Sequence, residues 1–252
     1  MTKIFHNERK KLAAENKVMA YLRYAVGEIL LVVIGILIAL QVNNWNENRK
    51  TNSAAQEALV SLRADFQDNA AQIKERISQV NRTTGYLNNL IKIIDRDSST
   101  INPDSLGKYV ITGGSYWNVK ITSSTYDALS GAGNLDLIQN KNLRKLLAEF
   151  YSTTKSGFED EGVSETLAVK IWEKTSSEIY TLWSNLEGYN IELTKKSPVL
   201  KKKAVNSILK MHDIMGILII KEALDQNQQK YMDNLLSLAN KILNEINKEL
   251  KE

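Results

Sequence analysis

The sequence predicts an all-α protein: one N-terminal transmembrane helix followed by an extracytoplasmic antiparallel bundle of long helices. Three observations predict it. Tyr24 to Val42, YAVGEILLVVIGILIALQV, is long and apolar enough to cross a bilayer. Beyond it, apolar side chains recur at steps of three and four over long stretches, which is the period of helices. Turn formers gather in a few short clusters, with no convincing strand or hairpin signal between them.

The anchor comes first. Ile29 to Leu40 carries no polar side chain, and its ten Ile, Leu and Val residues each favour insertion by roughly 0.3–0.6 kcal/mol. From Tyr24 to Val42 the run makes roughly 28 Å of helix, against a hydrocarbon core of about 30 Å. Tyr21, Tyr24 and Trp45 bracket it where interfacial aromatics belong, and Asn43, Asn44 and Asn46 end it abruptly. Lys3, Arg9, Lys10, Lys11, Lys17 and Arg23 precede the run. Only Arg49 and Lys50 follow within the window of roughly 20 residues in which the positive-inside rule counts charges. The N-terminus is therefore expected in the cytoplasm and the C-terminal body across the membrane. The rival, a cleaved signal peptide, fits less well: the leading region is long and no small-x-small site follows Leu40. The expected boundaries are a basic tail at 1–23, the transmembrane helix at 24–42 and the helical domain at 43–252.

Two features of the span bear on more than anchoring. Gly27, Leu31, Gly35 and Ala39 share a face, and Gly35-xxx-Ala39 is a spacing that lets two helices approach closely. Either the face associates with a second copy or another membrane protein, or Gly and Ala are there simply because such helices tolerate them. Glu28 is an ionisable group one turn past Tyr24. It either reaches the headgroups and stays hydrated, or it pairs with a polar group on a partner helix or handles protons.

The stretch RYAVGEILLVVIGILIALQVNNWNENRK closely resembles the N-terminal signature of an uncharacterised family of single-pass membrane proteins widespread in Bacteroidota. STYDALSGAGNLDLIQNKNLRKLLAEFYS resembles that family's second recurring block. The resemblance implies an inner-membrane protein with a periplasmic body. It implies no activity.

Composition narrows the function classes. The net charge is +4, and the first 23 residues, with six basic and two acidic side chains, account for all of it. The body is near neutral, so nucleic acid is not an expected partner. Ile4, Phe5, Leu12 and Val18 among the basic residues suit either a helix lying on anionic lipid or a plain topology-setting tail. There is no cysteine, hence no disulfide framework, thiolate metal site or cysteine nucleophile. His6 and His212 are the only histidines, and the anchor separates them; a histidine metal site or a Ser-His-Asp triad is hard to build.

The body follows as helices. From Asn52 to Ile94 the stripe is Ala55, Leu59, Leu62, Phe66, Ala70, Ile73, Ile77, Val80, Thr84, Leu87, Ile91 and Ile94; no Pro or Gly separates it from the anchor. Packing within a bundle is its expected use, with coiled-coil dimerisation the alternative. Asp97-Ser98-Ser99, Asn102-Pro103-Asp104 and Gly113-Gly114 mark turns. Asn102 or Asp104 caps a short helix through Tyr109, and Lys108 to Thr112 is the one stretch that could pair briefly as a strand. Thr122-Ser123-Ser124 leads into a helix over Thr125 to Ser130, stopped by Gly131 and Gly133. Leu135, Leu137 and Ile138 are core candidates. Asn140 caps a helix from Lys141 to about Thr154, with Leu143, Leu146, Leu147, Phe150 and Tyr151 inward. Glu159 to Glu187 reads as a helix burying Val163, Leu167, Ile171, Trp172, Ile179, Trp183 and Leu186, closed by Gly188. Ser197-Pro198 starts another, with Ile208, Leu209, Ile214, Met215, Leu218 and Ile219 inward. The last runs from about Lys221 to Leu250 along Leu224, Tyr231, Leu235, Leu238, Ile242, Ile246 and Leu250.

Catalytic motifs are scarce. Gly131-Ala132-Gly133 is too short for a nucleotide loop. Glu159-Asp160-Glu161 is most simply a helix start favoured by the macrodipole. Ser123, Ser124 and Thr125 lack a histidine nearby, so capping fits better than nucleophilic catalysis. Lys201-Lys202-Lys203 reads as a solvated face. No catalytic, cofactor or metal residues are assigned. Trp117, Tyr126, Trp172 and Trp183 could line a pocket between helices, with Tyr116, Tyr126 and Asp127 for polar contacts, although aromatic core packing is the simpler use. The expectation is a non-enzymatic scaffold or accessory subunit of an envelope complex. Its partners would be membrane lipid and either further copies or another inner-membrane protein. The alternatives are a periplasmic ligand-sensing module signalling through its juxtamembrane helix, and an ion-coupled accessory subunit using Glu28.

Overall fold

With no Pro or Gly between the apolar run and the stripe that follows it, nothing in the chain interrupts helix propagation. Helix α1 accordingly runs unbroken over Val18–Ile93. The computed structural model describes residues 18–94, 96–157, 160–182, 185–186, 191–192 and 197–250. After α1 come α2 (Pro103–Gly113), α3 (Ser124–Gly131), α4 (Lys141–Ser156), α5 (Glu161–Leu182), α6 (Pro198–Leu209) and α7 (His212–Glu249). The fold is thus all-α. Short 3₁₀ turns occur at Ser98–Thr100 and Leu135–Leu137. A two-residue antiparallel pairing joins β1 (Asn185–Leu186) to β2 (Ile191–Glu192).

The chain divides into two compact units, Met1–Glu57 and Ala58–Glu252. In the first, the described part is the opening segment of α1. Side chains from Glu28 to Trp45 are all exposed. Methyl groups added at Gly27 or Gly35 would meet nothing within 4 Å. Among the described residues, this is the one helix long and apolar enough to cross a membrane. The Arg49 guanidinium lies 5.6 Å from the Trp45 ring centroid.

The second unit holds two hydrophobic clusters. One joins Leu59, Leu62, Phe66, Ile73 and Val80 of α1 to Leu143, Leu147 and Phe150 of α4 and to Met232, Leu235, Ile242 and Ile246 of α7. The other joins Leu87, Leu90 and Ile93 of α1, and Ile94 just past its end, with α2, α5, α6 and the start of α7 through Ile214 and Leu218. The C-terminal end of α1 therefore meets the N-terminal end of α7, so these two long helices are antiparallel. Asn88 Nδ2 donates to Glu222 Oε1 between them at 3.2 Å. Helices α5 and α7 are also antiparallel: Lys174 pairs with Asp213 near one end, and Ser164 Oγ donates to Asp225 Oδ1 near the other at 3.4 Å.

Capping follows the residues. Asn102 accepts from the backbone of Asp104 and Ser105, Asn140 from Asn142 and Leu143, and Ser197 from Leu200 ahead of Pro198. Asn102, not Asp104, is therefore the cap of α2. Other expectations are corrected. Lys108 to Thr112 is helical, because α2 continues past Tyr109 to Gly113 and buries Val110 and Ile111. Ser123 does not cap α3 through its side chain. Its hydroxyl donates to Asp127 instead, and Asp65 of α1 accepts from the Thr125 amide at 3.2 Å. Of Leu135, Leu137 and Ile138, only Ile138 is fully buried.

Helix α5 ends at Leu182 rather than near Glu187. Its buried face is Ser164, Leu167, Ala168, Ile171, Thr175, Ile179 and Leu182: Leu167, Ile171 and Ile179 are inward as expected, whereas Val163 and Trp172 are exposed. The break between the last two helices falls at Lys210 and Met211, ten residues before the expected one, and Ile219 is exposed. The basic tail at residues 1–17, Glu159, Trp183 and Gly188 lie outside the described residues.

Candidate functional site

Between α2 and α3 the chain has no regular structure, yet it packs against the core, so its backbone groups need partners from elsewhere. Buried polar residues on two helices supply them. Asn69 of α1 donates through Nδ2 to Thr122 O at 2.9 Å and accepts the Thr122 amide at 2.8 Å. Thr83, about four turns further along α1, accepts from the Trp117 indole Nε1 at 2.9 Å. Gln228 of α7 donates to Trp117 O at 2.6 Å. Asn69 and Thr83 stand in the apolar stripe of α1 because they bind this segment, and the Arg76 guanidinium covers the Trp117 ring at 5.8 Å.

The clamped segment forms one wall of a cleft of about 840 Å³. The other walls come from α3, the outer face of α4, the entry to α5 and the middle of α7. Tyr126 of α3 stacks on Tyr151 of α4 at 4.3 Å, and Tyr151 in turn meets Phe66 edge-on at 5.8 Å. Both charge signs line the space: Lys120 and Lys155, Asp127 and Glu161. Each carboxylate is held by a neutral donor, Asp127 by Ser123 Oγ at 2.6 Å and Glu161 by Asn118 Nδ2. Gln228, 2% exposed, closes the inner end. Burial, and then the charge of Asp65, pushes the Tyr151 phenol well above its ordinary pKa; burial, and then Glu161, raises that of Tyr231.

On the same face of α7, one and two turns before Gln228, stand Asp225 and Lys221. They form an ion pair exposed by only 2% and 1%. Burial raises the pKa of Asp225 and lowers that of Lys221, drawing both toward their neutral forms. Asp225 Oδ2 and Tyr116 OH are buried without a hydrogen-bond partner. Burial, then the nearby Glu161 carboxylate, raises the Tyr116 phenol well above its usual range.

The residues proposed for a pocket are thus distributed. Tyr126 and Asp127 line the cleft. Trp117 lies behind its wall, hydrogen-bonded to Thr83 and Gln228. Tyr116 is half-buried in the neighbourhood of Glu161 and Asp225. Trp172 sits apart at 39% exposure, donating to Gly114 O at 3.1 Å, and Trp183 falls outside the described residues. Gly27, Glu28, Gly35 and Ala39 belong to the first segment of α1, where Gly27 is half-buried and the other three are exposed. Missing from the sequence-based set are Lys120, Tyr151, Lys155, Glu161, Gln228 and Tyr231. One signal was available: Lys221, Asp225 and Gln228 interrupt the apolar face of α7 at helical spacing, and polar residues at core positions need a reason. Among the described residues no group of three or more His, Cys, Asp or Glu could hold a metal ion.

The family described as "Family of unknown function (DUF6090)" matches residues 28–151, from Glu28 in the apolar run to Tyr151 on the cleft wall. No curated protein and no solved structure matches the chain.

Proposed function

We propose that the chain is a non-enzymatic, single-pass inner-membrane protein acting as a scaffold or accessory subunit of an envelope complex, with its N-terminus cytoplasmic and its helical body periplasmic. One observation carries the reading. The apolar side chains from Ile29 to Val42 are exposed, and nothing among the described residues covers them. Lipid and the helices of other molecules are what can cover such a surface. Gly27, Gly35 and Ala39 offer the face on which a second copy, or another inner-membrane protein, would approach. The excess of basic residues before the run supports the orientation, and the resemblance of the anchor to the Bacteroidota family supports the inner membrane.

The test uses the absence of native cysteine. Single cysteines at Gly35, Ala39 and, on the opposite face, Leu37 are oxidised in native membranes. Cross-linked dimers at Gly35 and Ala39 but not at Leu37 are expected of self-association. Equal yields at all three sites would remove the helix face from the proposal. A C-terminal reporter active only in the periplasm is expected for the orientation, and one active only in the cytoplasm would overturn it.

The cleft favours a second reading, in which the body binds a small ligand and signals through the juxtamembrane helix. Its volume and its mixture of stacked aromatics with a few polar groups suit a small molecule.

A further inference from the structure

The charges lining the cleft narrow what it would hold, on the ligand-binding reading just given. Lys120 and Lys155 present ammonium groups, and Asp127 and Glu161 present carboxylates. A purely anionic ligand would have to face both carboxylates, and a purely cationic one both lysines. Lys120, Asp127 and Lys155 are exposed and Glu161 is half-buried, so water weakens but does not remove the repulsion of like charges brought together there. A molecule carrying one charge of each sign escapes the conflict. The two carboxylates are already oriented by Ser123 and Asn118, so they are acceptors waiting in place rather than side chains to be ordered on binding.

The inner end adds a neutral acceptor. Gln228 is 2% exposed and commits its amide nitrogen to Trp117 O, which leaves Oε1 to receive a ligand N–H. The Tyr126–Tyr151 stack gives a flat wall on which an apolar or aromatic group can lie. At about 840 Å³ the space exceeds what a single ion needs and falls in the ordinary range for small organic ligands.

We propose that this cleft binds a small zwitterion, an α-amino acid or short peptide: its ammonium at Asp127 and Glu161, its carboxylate at Lys120 and Lys155, and its side chain against Tyr126. The experiment uses the full chain in nanodiscs and reads thermal shift and calorimetric affinity. The probes are the twenty common L-amino acids and a set of glycyl dipeptides including glycyl-phenylalanine. Each zwitterion that binds is compared with its N-acetyl form, which lacks the ammonium, and its C-terminal amide, which lacks the carboxylate. At least one zwitterion is expected to bind, with each blocked form at least tenfold weaker. Asp127→Asn and Lys120→Gln are expected to weaken it at least fivefold while leaving the ligand-free melting temperature unchanged. A blocked form that binds as well as its parent overturns the zwitterion and leaves the cleft as a site for a singly charged ligand. Silence from every zwitterion and every blocked form overturns both the inference and the ligand-binding reading. Binding that survives both substitutions unchanged moves the site elsewhere and overturns the assignment to this cleft.

Discussion

Lys221 and Asp225 face each other one turn apart on α7 and are almost wholly withdrawn from solvent. Desolvating two charges consumes most of what their attraction returns, so such a pair matters less for its presence than for what happens when it is halved. Asp225→Asn leaves an unpaired ammonium in the core and is expected to destabilise the second unit by about 3–5 kcal/mol. Joint replacement by Met at 221 and Leu at 225 is expected to be neutral or stabilising by up to about 4 kcal/mol. Thermal melts of the single and double variants check both.

Tyrosines supply a pH dependence. Tyr116, Tyr151 and Tyr231 all have phenols raised by burial before any other cause. A raised folded-state pKa contributes stability that is complete below the unfolded value, about 10 for tyrosine, and is lost as pH climbs toward the folded value. The melting temperature is therefore expected to fall above about pH 10. Tyr151→Phe should flatten that fall while costing some stability at pH 7, and a series of melts from pH 7 to 11 reads the slope.

Among the elements, α2 ends where space is tightest. A Cβ at Gly113 would lie 3.0 Å from the Leu87 backbone nitrogen, and one at Gly114 would lie 2.9 Å from Val110 O. Backbone cannot swing aside as a flexible side chain can. Gly113→Ala is expected to destabilise by roughly 1–3 kcal/mol, the usual cost of overpacking, with Gly85→Ala, which meets nothing within 4 Å, as its control. Urea denaturation of the two variants gives the comparison.

Helix starts were legible wherever one side chain decides them: Asn102, Asn140, Ser197 with Pro198. Long helices were legible because the stripe on α1 repeats many times, so single polar interruptions do not erase it. Boundaries decided by tertiary packing were not. The turn at Lys210 and Met211 contains no Pro or Gly; it exists because Val205 and Ile208 before it and Ile214 and Leu218 after it enter the same cluster. Part of the α5 face was hidden for a similar reason, although Leu167, Ile171 and Ile179 were read correctly. Its inward positions include Ser164 and Thr175, which a hydrophobicity pattern reads as outward, while Val163 and Trp172 read as inward. Only Tyr126 and Asp127 of the cleft residues were legible, because the cleft is assembled from segments far apart in the chain, and its charges are ordinary surface residues until the fold gathers them.

For the molecule as a whole, both hydrophobic clusters lie within Ala58–Glu252, beginning at Leu59. A fragment from Ala58 onward is therefore expected to be soluble, helical and cooperatively folded, whereas the full chain should stay with membranes through alkaline carbonate washing. Circular dichroism of the fragment and fractionation of the full chain are the checks. Glu28→Gln separates the readings of the span. If the helix is an anchor and docking face, assembly and topology should survive the change; loss of function with assembly intact would instead favour an ion-coupled role.

The Asn69 clamp has a consequence for solvent exchange. Unstructured segments ordinarily trade their amide protons for deuterium within seconds, yet the Thr122 proton is held by a carbonyl oxygen on a residue with no exposure. That proton should persist on the timescale of helical amides, a slow-exchanging coil position amid fast neighbours. It opens only when α1 itself lets go.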